Sequence, residues 1–399
     1  MSIARVSKLQ LPRPVRRIVV LRANGLGDFL FATPALRALA RGFPEAEITY
    51  LCRPSLQDFI AGRYPYIHRA LAIPYYPKLN DPPPGQAADG RAIESFFGRM
   101  RAERFDLAIQ MHGGGVESNP FVARLGAKHT LGLTGRGVRP LQANLRYVFY
   151  QNEVLRYLEL VGQLGIAWDG LQDLQMEVPL LSADFDRLAK LAETGIGDWG
   201  SGSPRSPTPN PQFPAPSTGA RAIPYVVLHP GAGDPRRRWP LERFARVAEF
   251  VHARFGRAVV VGGSRDEQAL AERLRALSRV PVLDVAGQLD VGAYAALISQ
   301  ADLFVGNDTG PAHMAFALGV PSVVVYWCGN LITAGPPTRG LFRPVLSWTI
   351  DCPACGRRQC RCQVSFVQDA PLDEVLEHVT DLLEGRPAQT GNGSRLSPT

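Results

Sequence analysis

Three short glycine-rich motifs carry the polar side chains best suited to chemistry. In the first, Asn24, Gly25 and Gly27 form a turn that ends at the carboxylate of Asp28. Such a turn lets a substrate come close to the backbone, and a carboxylate beside it can serve as a general base. Alternatively, Asp28 only stabilises the positive end of a helix dipole. Leu30 stands where the dinucleotide-binding fingerprint has its third glycine, so a nicotinamide-dependent oxidoreductase is disfavoured.

The second motif combines a glycine-rich loop with a run of three arginines. It reads HPGAGDPRRRWP, with Gly231 and Ala232 in the loop and Arg236–Arg238 before Trp239. Backbone N–H groups and guanidinium forks both suit phosphate oxygens, so we expect all three arginines to face a diphosphate. The alternative is that the arginine run is simply a solvated surface.

The third motif, GNDTGPAH, joins an apolar run to an alanine-rich helix. Thr309 and Gly310 are expected to expose their amides at the helix N-terminus, where the positive end of the dipole attracts an anion. Asp308 can accept hydrogen bonds from hydroxyl groups, and His313 follows one helical turn later. Helix capping alone would explain Asp308 or Thr309, but not the whole group.

Four cysteines near the C-terminus supply enough thiols for a zinc site; they are Cys352, Cys355, Cys360 and Cys362. The second pair has a single residue between its members, which is tighter than the spacing in the usual zinc motifs. Zinc is therefore the weaker interpretation, and no metal or cofactor is expected.

Two other polar groups have competing interpretations. His112, before the glycines at 113–115, either lines the acceptor side of a site or is an ordinary loop residue. Asp184 and Asp186 form the one D-x-D string in the chain, just after Ser182 at an expected helix start. We expect these charges to cap the helix rather than to bind a metal.

The motifs follow strands in an alternating pattern of strands and helices. The strands expected before residue 200 are Arg17–Arg22, Glu47–Leu51 and Asp106–Met111, and a helix is expected to begin with Thr33 as its cap and Pro34 as its first residue. The strands expected after residue 220 are Tyr225–Leu228, Ala258–Val261, Val280–Leu283, Leu303–Val305 and Ser322–Tyr326, with helices at Leu241–Phe255, Asp266–Leu277, Gly292–Ser299 and Pro311–Leu318. This alternation predicts an α/β fold of two doubly wound parallel sheets, which bind ligands at the carboxyl ends of their strands.

The length of 399 residues suggests two domains. The segment 201–218 contains six prolines and almost no apolar side chains, so it cannot bury enough surface to order itself. The expected domains are an N-terminal domain at 1–200 and a C-terminal domain at 223–385, joined by a Pro/Ser-rich linker at 201–222 and followed by a disordered tail at 386–399. The alternative is that the linker is an insertion within one domain.

Composition narrows the class of protein further. No apolar run approaches the ~20 residues of a transmembrane helix, and the basic N-terminus lacks the apolar stretch of a secretory signal. Six cysteines in so long a chain do not indicate a disulfide scaffold, so a cytoplasmic protein is expected. The net charge of +8 favours acidic partners. Nucleic acid is disfavoured because the basic residues lack interleaved aromatic residues.

Taken together, the motifs resemble those of the family 9 glycosyltransferases, the bacterial ADP-heptose:lipopolysaccharide heptosyltransferases. The matching segments are IVVLRANGLGDFLFATPALRAL, HPGAGDPRRRWPLERF and VGNDTGPAHMAFALGVPSVVVYW. The resemblance extends over most of residues 16–385. It implies a GT-B fold, in which two Rossmann-like domains face each other, the first for the acceptor and the second for the nucleotide-sugar donor. It also implies that a C-terminal helix, here Pro371–Leu383, crosses back to the first domain.

The resemblance implies roles for individual residues as well. Asp28 matches the catalytic base. The residues that match donor-binding positions are Gly231, Ala232, Arg237, Glu267, Asp308, Thr309, Gly310 and His313. Among them, Arg237 replaces a more usual lysine that contacts the donor phosphates, and Glu267 matches a ribose-contacting carboxylate. The loop at Gly231 lacks the hydroxyl residues that some heptosyltransferases carry there.

The expected activity is an inverting, metal-independent sugar transfer from a nucleotide diphosphate, with ADP-heptose as donor and a lipopolysaccharide core or related glycolipid as acceptor. The basic N-terminal residues suggest peripheral association with an anionic glycolipid at the inner face of the inner membrane. Two rival functions remain open. One is an epimerase or hydrolase of nucleotide sugars with the same fold, and the other is a non-catalytic module that binds nucleotide sugars.

Overall fold

The computed structural model describes residues 9–193 and 224–385, apart from residues 13, 84, 169, 339, 358 and 359. The expected linker at 201–222 and tail at 386–399 lie outside the described residues. Within them, the strands form two six-stranded sheets in which all pairs of neighbours are parallel. The predicted pair of doubly wound parallel sheets is confirmed.

The first sheet has the strand order β3-β2-β1-β4-β5-β6. Its strands are β1 Arg17–Leu21, β2 Glu47–Cys52, β3 Arg69–Ala72, β4 Leu107–Gln110, β5 His129–Thr134 and β6 Ala143–Arg146. The helices of this part of the chain are α1 Leu26–Gly42, α2 Pro54–Ile60, α3 Gly90–Ala102, α4 Ser118–Arg124, α5 Glu153–Gly162 and α6 Ser182–Glu193. The central strands are apolar because helices cover both faces of a parallel sheet. Val20 of β1, for example, is fully buried and pairs with Tyr50 of β2 and Ile109 of β4.

The second sheet repeats the same topology, with the order β12-β11-β10-β7-β8-β9. Its strands are β7 Tyr225–His229, β8 Ala258–Val261, β9 Val282–Asp284, β10 Leu303–Asn307, β11 Ser322–Trp327 and β12 Phe342–Ser347. The accompanying helices are α7 Leu241–Phe255, α8 Gln268–Leu277, α9 Val291–Ser299, α10 Gly310–Ala317, α11 Cys328–Ala334 and α12 Leu372–Glu384.

The direction of strand order reverses at the centre of each sheet, between β1 and β4 in the first and between β7 and β10 in the second. Such switch points open a crevice at the carboxyl edge, because the following helices leave in opposite directions. The three glycine-rich motifs directly follow β1, β7 and β10. Strand order therefore places all of them at ligand-binding crevices.

Helix α1 begins at Leu26, so the prediction of a start at Thr33 is wrong. Pro34 lies inside this helix and has no N–H to donate to the carbonyl of Leu30. The hydroxyl of Thr33 donates to that carbonyl instead, at 2.8 Å. Asp28 consequently lies in the first helical turn.

The expected crossing of the C-terminal helix to the first domain is also wrong for the described residues. Helix α12 forms where it was predicted, but its buried side chains Val375, Val379 and Leu382 pack into the core of the second sheet, beside α7. Two helix pairs join the two halves: α6 packs on α9, and α1 packs on α10. Arg187 of α6 pairs with Asp290 at the start of α9 at 2.7 Å, which ties the first half of the chain to the second.

Candidate active site

Asp28 is held at the carboxyl edge of β1 by two hydrogen bonds. Its Oδ2 accepts from the backbone N–H of Gly25 at 3.1 Å, which closes the first turn of α1. Its Oδ1 accepts from Nη2 of Arg22 at 2.5 Å. The side chain remains 38% exposed, so a substrate hydroxyl can reach it. Asp28 therefore caps the helix and also presents a carboxylate to the cleft, and its role as a general base stays a prediction.

Arg22 is a residue of the site that sequence reasoning missed. Its guanidinium is buried and also donates to the carbonyls of Asp28, at 2.8 Å, and Met111, at 2.6 Å. The same Nη2 that binds Asp28 lies 2.9 Å from Oε2 of Glu153, and the guanidinium stacks over the ring of Tyr157 at 4.7 Å. The fork fixes Asp28 through both its backbone and its carboxylate.

Glu153, the first residue of α5, is a second carboxylate at this edge. It shares Arg22 with Asp28, pairs with the buried Arg156, and accepts a hydrogen bond from the hydroxyl of Tyr157. These partners surround its oxygens, and its side chain is 15% exposed. Asp28 is thus the more accessible of the two carboxylates.

Across the cleft, Asp308 follows β10 and is buried. Its Oδ2 accepts from Asn330 at 2.7 Å and from Nη1 of Arg237 at 3.2 Å, while its Oδ1 lies 3.3 Å from Nε2 of His313. Burial alone would raise the pKa of Asp308, but the contact with His313 and the charge of Arg237 outweigh it and lower the pKa below its ordinary value. Asp308 is therefore an ionised acceptor that positions three polar side chains.

The run of three arginines is divided among different partners. Arg236 forms a two-pronged ion pair with Asp234, with distances of 2.6 and 3.0 Å. Arg238 donates to the carbonyl of Ala232 at 2.8 and 3.0 Å. Only Arg237 of the three reaches the cleft, beside Asp308. The expectation that all three face a diphosphate is wrong, because two are committed to holding the loop.

The N-termini of α1 and α10 meet at two glycines. A Cβ on Gly27 would lie 2.7 Å from Cδ2 of His313 and 3.4 Å from Cα of Gly310. One on Gly310 would lie 3.2 Å from the backbone nitrogen of Gly27. Only glycine permits such an approach, so the positive ends of two helix dipoles are directed toward one cleft.

The predicted loop at Gly231 lies against Glu267. A Cβ on Gly231 would overlap the carboxylate of Glu267, so a larger residue here would have to displace that side chain. Oε2 of Glu267 accepts from the N–H and hydroxyl of Ser264, at 2.8 and 2.9 Å, and lies 3.9 Å from Nε2 of His229. Burial would raise the pKa of Glu267, but His229 and Ser264 lower it, so this carboxylate is ionised.

The cleft between these groups has a volume of about 350 Å³. The predicted residues that line it are Gly25, Gly27, Asp28, Arg237, Asp308, Thr309, Gly310 and His313. The lining also includes Leu26, Phe31, Glu153, Gly233, Asn330, Thr333 and Ala334, which were not predicted. The predicted residues Asn24, His112, Gly231, Ala232 and Glu267 lie outside this lining. A carboxylate thus faces a cation and a helix N-terminus across one cleft.

A family model described as glycosyltransferase family 9 (heptosyltransferase) matches residues 93–364. The chain belongs to glycosyltransferase family 9. Lipooligosaccharide heptosyltransferase 2 of Haemophilus ducreyi is 26% identical over 349 residues, which cover 83% of this chain and 86% of that protein. The predicted family and the predicted enzyme class, a glycosyltransferase, are confirmed.

Solved structures of family 9 glycosyltransferases share the fold. The family 9 glycosyltransferase from Veillonella parvula has a TM-score of 0.71 at 20% identity and covers 93% of this chain and 98% of its own. The E. coli ADP-heptose LPS heptosyltransferase II has a TM-score of 0.65 at 19% identity and covers 93% and 99% of the two chains. The predicted GT-B fold is confirmed.

In this glycosyltransferase, His112 lies behind the turn between β1 and α1. Its Nδ1 accepts from the N–H of Ala23 at 3.2 Å. Burial, together with the charge of Arg22, lowers the pKa of His112 to about 4, so the ring is neutral near pH 7. It supports the turn between β1 and α1, and its predicted place on the acceptor side stays a prediction.

The two remaining polar groups differ in what they contact. Asp184 is fully buried, accepts from the N–H of Leu181 at 2.9 Å, and forms a two-pronged ion pair with Arg63 at 2.5 and 2.9 Å. Its capping contact agrees with the helix-capping interpretation, and Arg63 neutralises its charge. The sulfur atoms of the four C-terminal cysteines, in contrast, lie within 4.8 Å of one another.

Proposed function

We propose that this glycosyltransferase moves heptose from ADP-heptose to a lipopolysaccharide core or a related glycolipid. The observation that carries the proposal is the placement of Asp28 opposite Arg237 and the N-terminus of α10 in one cleft. Similar proteins named as lipooligosaccharide and lipopolysaccharide heptosyltransferases support the choice of sugar and acceptor.

In the proposed reaction, Asp28 is the general base. Its exposed carboxylate takes the proton from the acceptor hydroxyl as that oxygen attacks the anomeric carbon of the donor. Arg22 orients the carboxylate, because its buried Nη2 donates to Oδ1 at 2.5 Å. Glu153 is the less accessible carboxylate and acts through Arg22, as a positioning residue.

The leaving diphosphate is stabilised from the second sheet. Arg237 lines the cleft, is 29% exposed and bonds to Asp308 through Nη1, which leaves the other N–H groups of its guanidinium for a ligand. The N-terminus of α10, where Gly310 carries an N–H and Pro311 does not, adds the positive end of a helix dipole. These groups supply positive charge where negative charge develops, which makes a bound metal unnecessary for this step.

A single displacement of this kind inverts the anomeric carbon, because the acceptor enters opposite the leaving diphosphate. The transition state has oxocarbenium character, and the enzyme contributes mainly by holding both substrates in line. We therefore propose an inverting, metal-independent transfer.

We further propose that the first domain, at 1–200, binds the acceptor and that the second, at 223–385, binds the donor. Several large apolar side chains are exposed in the loops that follow β3, β4 and β6, and they are Tyr75, Val116, Val148, Phe149 and Tyr150. Exposed arginines follow β2 and β5 on the same edge, at Arg53, Arg136 and Arg139. Apolar and basic groups on one edge suit an anionic glycolipid.

The same surface supports peripheral association with an anionic membrane. None of the described helices combines the length and apolarity that crossing a bilayer requires. Of the basic N-terminal residues, Arg5, Lys8 and Arg13 lie outside the described residues. Arg16 and Arg17 lie at the amino edge of β1, away from the cleft, and pair with Glu45 and the carbonyl of Glu103. The carboxyl-edge loops are thus the better membrane contact.

The proposal is tested by incubating the protein with ADP-, UDP- and GDP-sugars, with and without truncated lipopolysaccharides of graded core length. We expect heptosyl transfer from ADP-heptose, no requirement for added Mg²⁺ or Mn²⁺, and a product whose anomeric configuration by NMR is opposite to that of the donor. Release of free sugar or an epimer without acceptor would indicate the hydrolase or epimerase alternative. Failure to bind every nucleotide sugar would overturn the transferase proposal.

A further inference from the structure

The four C-terminal cysteines form a cluster in the segment between β12 and α12, outside the lining of the cleft. The sulfur atoms of Cys352, Cys355, Cys360 and Cys362 all lie within 4.8 Å of one another, and this is the sole metal-compatible group among the described residues. In a tetrahedral zinc site with Zn–S bonds of about 2.3 Å, neighbouring sulfurs are about 3.8 Å apart. Small side-chain movements would therefore complete the tetrahedron.

We propose that these four cysteines bind one zinc ion as a structural tetrathiolate site. Four thiolates are soft ligands in a closed set, which favours zinc and leaves no open position for a substrate. The tight spacing of Cys360 and Cys362 argued against a metal, but their sulfur atoms nevertheless lie within 4.8 Å of each other and of the other two sulfurs. Spacing rules derived from common zinc motifs thus miss this arrangement.

The backbone around the cluster supports coordinated thiolates. The N–H groups of Ala354 and Cys355 donate to the sulfur of Cys352. Gly356 adopts a left-handed conformation, with φ of +69°, and its N–H donates to the carbonyl of Cys352 at 2.8 Å. This tight turn brings the first two cysteines to one side, and the amide donors would offset negative charge on the ligands.

The charge of the surroundings also suits the site. Zinc with four thiolates carries a net charge of −2, because the ligands contribute −4 and the ion +2. Arg236 lies close enough to Cys360 for their charges to interact, and Arg357 and Arg361 lie within the cysteine segment itself. A basic neighbourhood lowers the cost of placing this negative cluster at the protein surface.

The cluster is connected to the loop that bears Arg237. The N–H of Phe366, four residues after Cys362, donates to the carbonyl of Arg236 at 2.7 Å. The ring of Phe366 packs on Trp327 at 4.9 Å between centroids. A zinc ion would therefore fix the chain from Cys352 to Phe366 against the loop that carries the proposed phosphate-binding arginine. We expect metal loss to weaken donor binding and to leave the base on the first sheet unaffected.

The test is the metal content of the full-length protein, purified without chelators from cells grown in defined medium with zinc and iron, measured by plasma mass spectrometry. We expect one zinc per chain. Cys355→Ser and Cys360→Ser should each lower it to below one tenth, whereas the matched control Cys328→Ser, outside the cluster, should retain one zinc. One iron per chain would overturn zinc as the occupant, and a folded protein without metal would overturn the site.

A second measurement uses the wild-type protein, so it tests the zinc site even if the serine variants fail to fold. The wild-type protein is titrated with a mercurial thiol reagent while zinc release is followed with a chromogenic chelator. One zinc released as four thiols react supports the tetrathiolate. Fewer than six reactive thiols in the denatured, unreduced protein would indicate disulfides and contradict it, because all six cysteines are free here. Neither measurement depends on sugar transfer, so the outcome is independent of the proposed function.

Discussion

Gly27 of the first sheet and Gly310 of the second face each other across the cleft, so closely that a Cβ on Gly310 would lie 3.2 Å from the nitrogen of Gly27. This contact brings the N-termini of α1 and α10 together. Asp28 immediately follows the first glycine, and Thr309 immediately precedes the second. Because neither glycine has a side chain, the proposed base can lie this close to the proposed donor-binding turn.

Replacement of Gly27 should disturb this separation. In Gly27→Ala, the added methyl group would lie 2.7 Å from the buried ring of His313 and must displace it or α10. We expect kcat/KM to fall at least tenfold and stability to fall by about 1–3 kcal/mol. Steady-state kinetics and urea unfolding measure these effects. Gly98→Ala, in an exposed part of α3 with open space around the new methyl group, is the control: kcat/KM should not change, and stability should rise by about 0.5–1 kcal/mol because alanine favours the helix over glycine.

Neighbouring arginines should differ sharply in their effect on the donor. Arg237 reaches the cleft, whereas Arg236 is held by Asp234. Loss of a charged hydrogen bond to a diphosphate costs about 1.5–3 kcal/mol, so Arg237→Gln should raise the dissociation constant of ADP roughly 10- to 100-fold. Arg236→Gln should change it less than about threefold. Equal effects of the two changes in titration calorimetry would show that Arg237 has no special role.

Arg22 should act on turnover rather than on donor binding. Arg22→Lys keeps a positive charge but loses the fork that holds both Asp28 and Glu153. Because positioning errors of a reacting group are costly, we expect kcat to fall about 10- to 100-fold with the dissociation constant of ADP unchanged. The exposed Arg91→Lys is the control. If Arg22→Lys instead weakened ADP binding and left kcat unchanged, Arg22 would have a general structural role and would not position Asp28.

His112 should make the protein less stable in mild acid. The pKa of its ring is lowered from 6.5 in the unfolded chain to about 4 in the folded protein. Above pH 6.5 the ring is therefore neutral in both the folded and the unfolded state, and it does not change the free energy of unfolding. As the pH falls from 6.5 toward 4, only the unfolded state gains a proton, and the free energy of unfolding decreases by up to about 3 kcal/mol.

In His112→Asn, the amide oxygen can still accept from Ala23 but does not titrate. Its melting temperature should fall less between pH 7 and pH 5 than that of the wild-type protein. His229, whose pKa is also lowered by burial, remains in both and leaves part of the slope. Parallel pH profiles for the two proteins would show that His112 is protonated equally in the folded and unfolded states.

The apolar periodicity of the sequence was sufficient to predict most strands and helices around the second sheet, although β12 and α11 were not predicted. Helix α7 and strand β8 form within the predicted limits, because buried β-branched runs alternate there with clear helical patterns. The start of α1 was misplaced, because Pro34 usually marks a first helical turn and only a tertiary contact distinguishes an interior proline. The packing of α12 was misjudged for the same reason, since an amphipathic helix does not specify which sheet it covers.

The sequence predicted the cleft residues that stand in glycine-rich motifs after strands. It did not predict the residues that contact Asp28 from other elements. Asp28 and Asp308 stand in glycine-rich motifs, so sequence reasoning found them. Arg22 closes an apolar strand, and Glu153 begins a helix over one hundred residues later, so nothing local marks them as partners of Asp28. The division of the arginine run likewise depends on Asp234 and the carbonyl of Ala232 as competing acceptors.

The most direct test of the account is Asp28→Asn, assayed for both turnover and donor binding. The amide oxygen can keep one of the two hydrogen bonds that Asp28 accepts, from Arg22 or from Gly25, but the amide cannot take the acceptor proton. We expect sugar transfer to fall about 100- to 10,000-fold, the range for general-base loss, while ADP binding measured by calorimetry stays within about threefold of wild type. Asp186→Asn, on an exposed face of α6, should leave both unchanged. Transfer above one tenth of the wild-type rate, or loss of ADP binding, would contradict the assignment of Asp28 as the base.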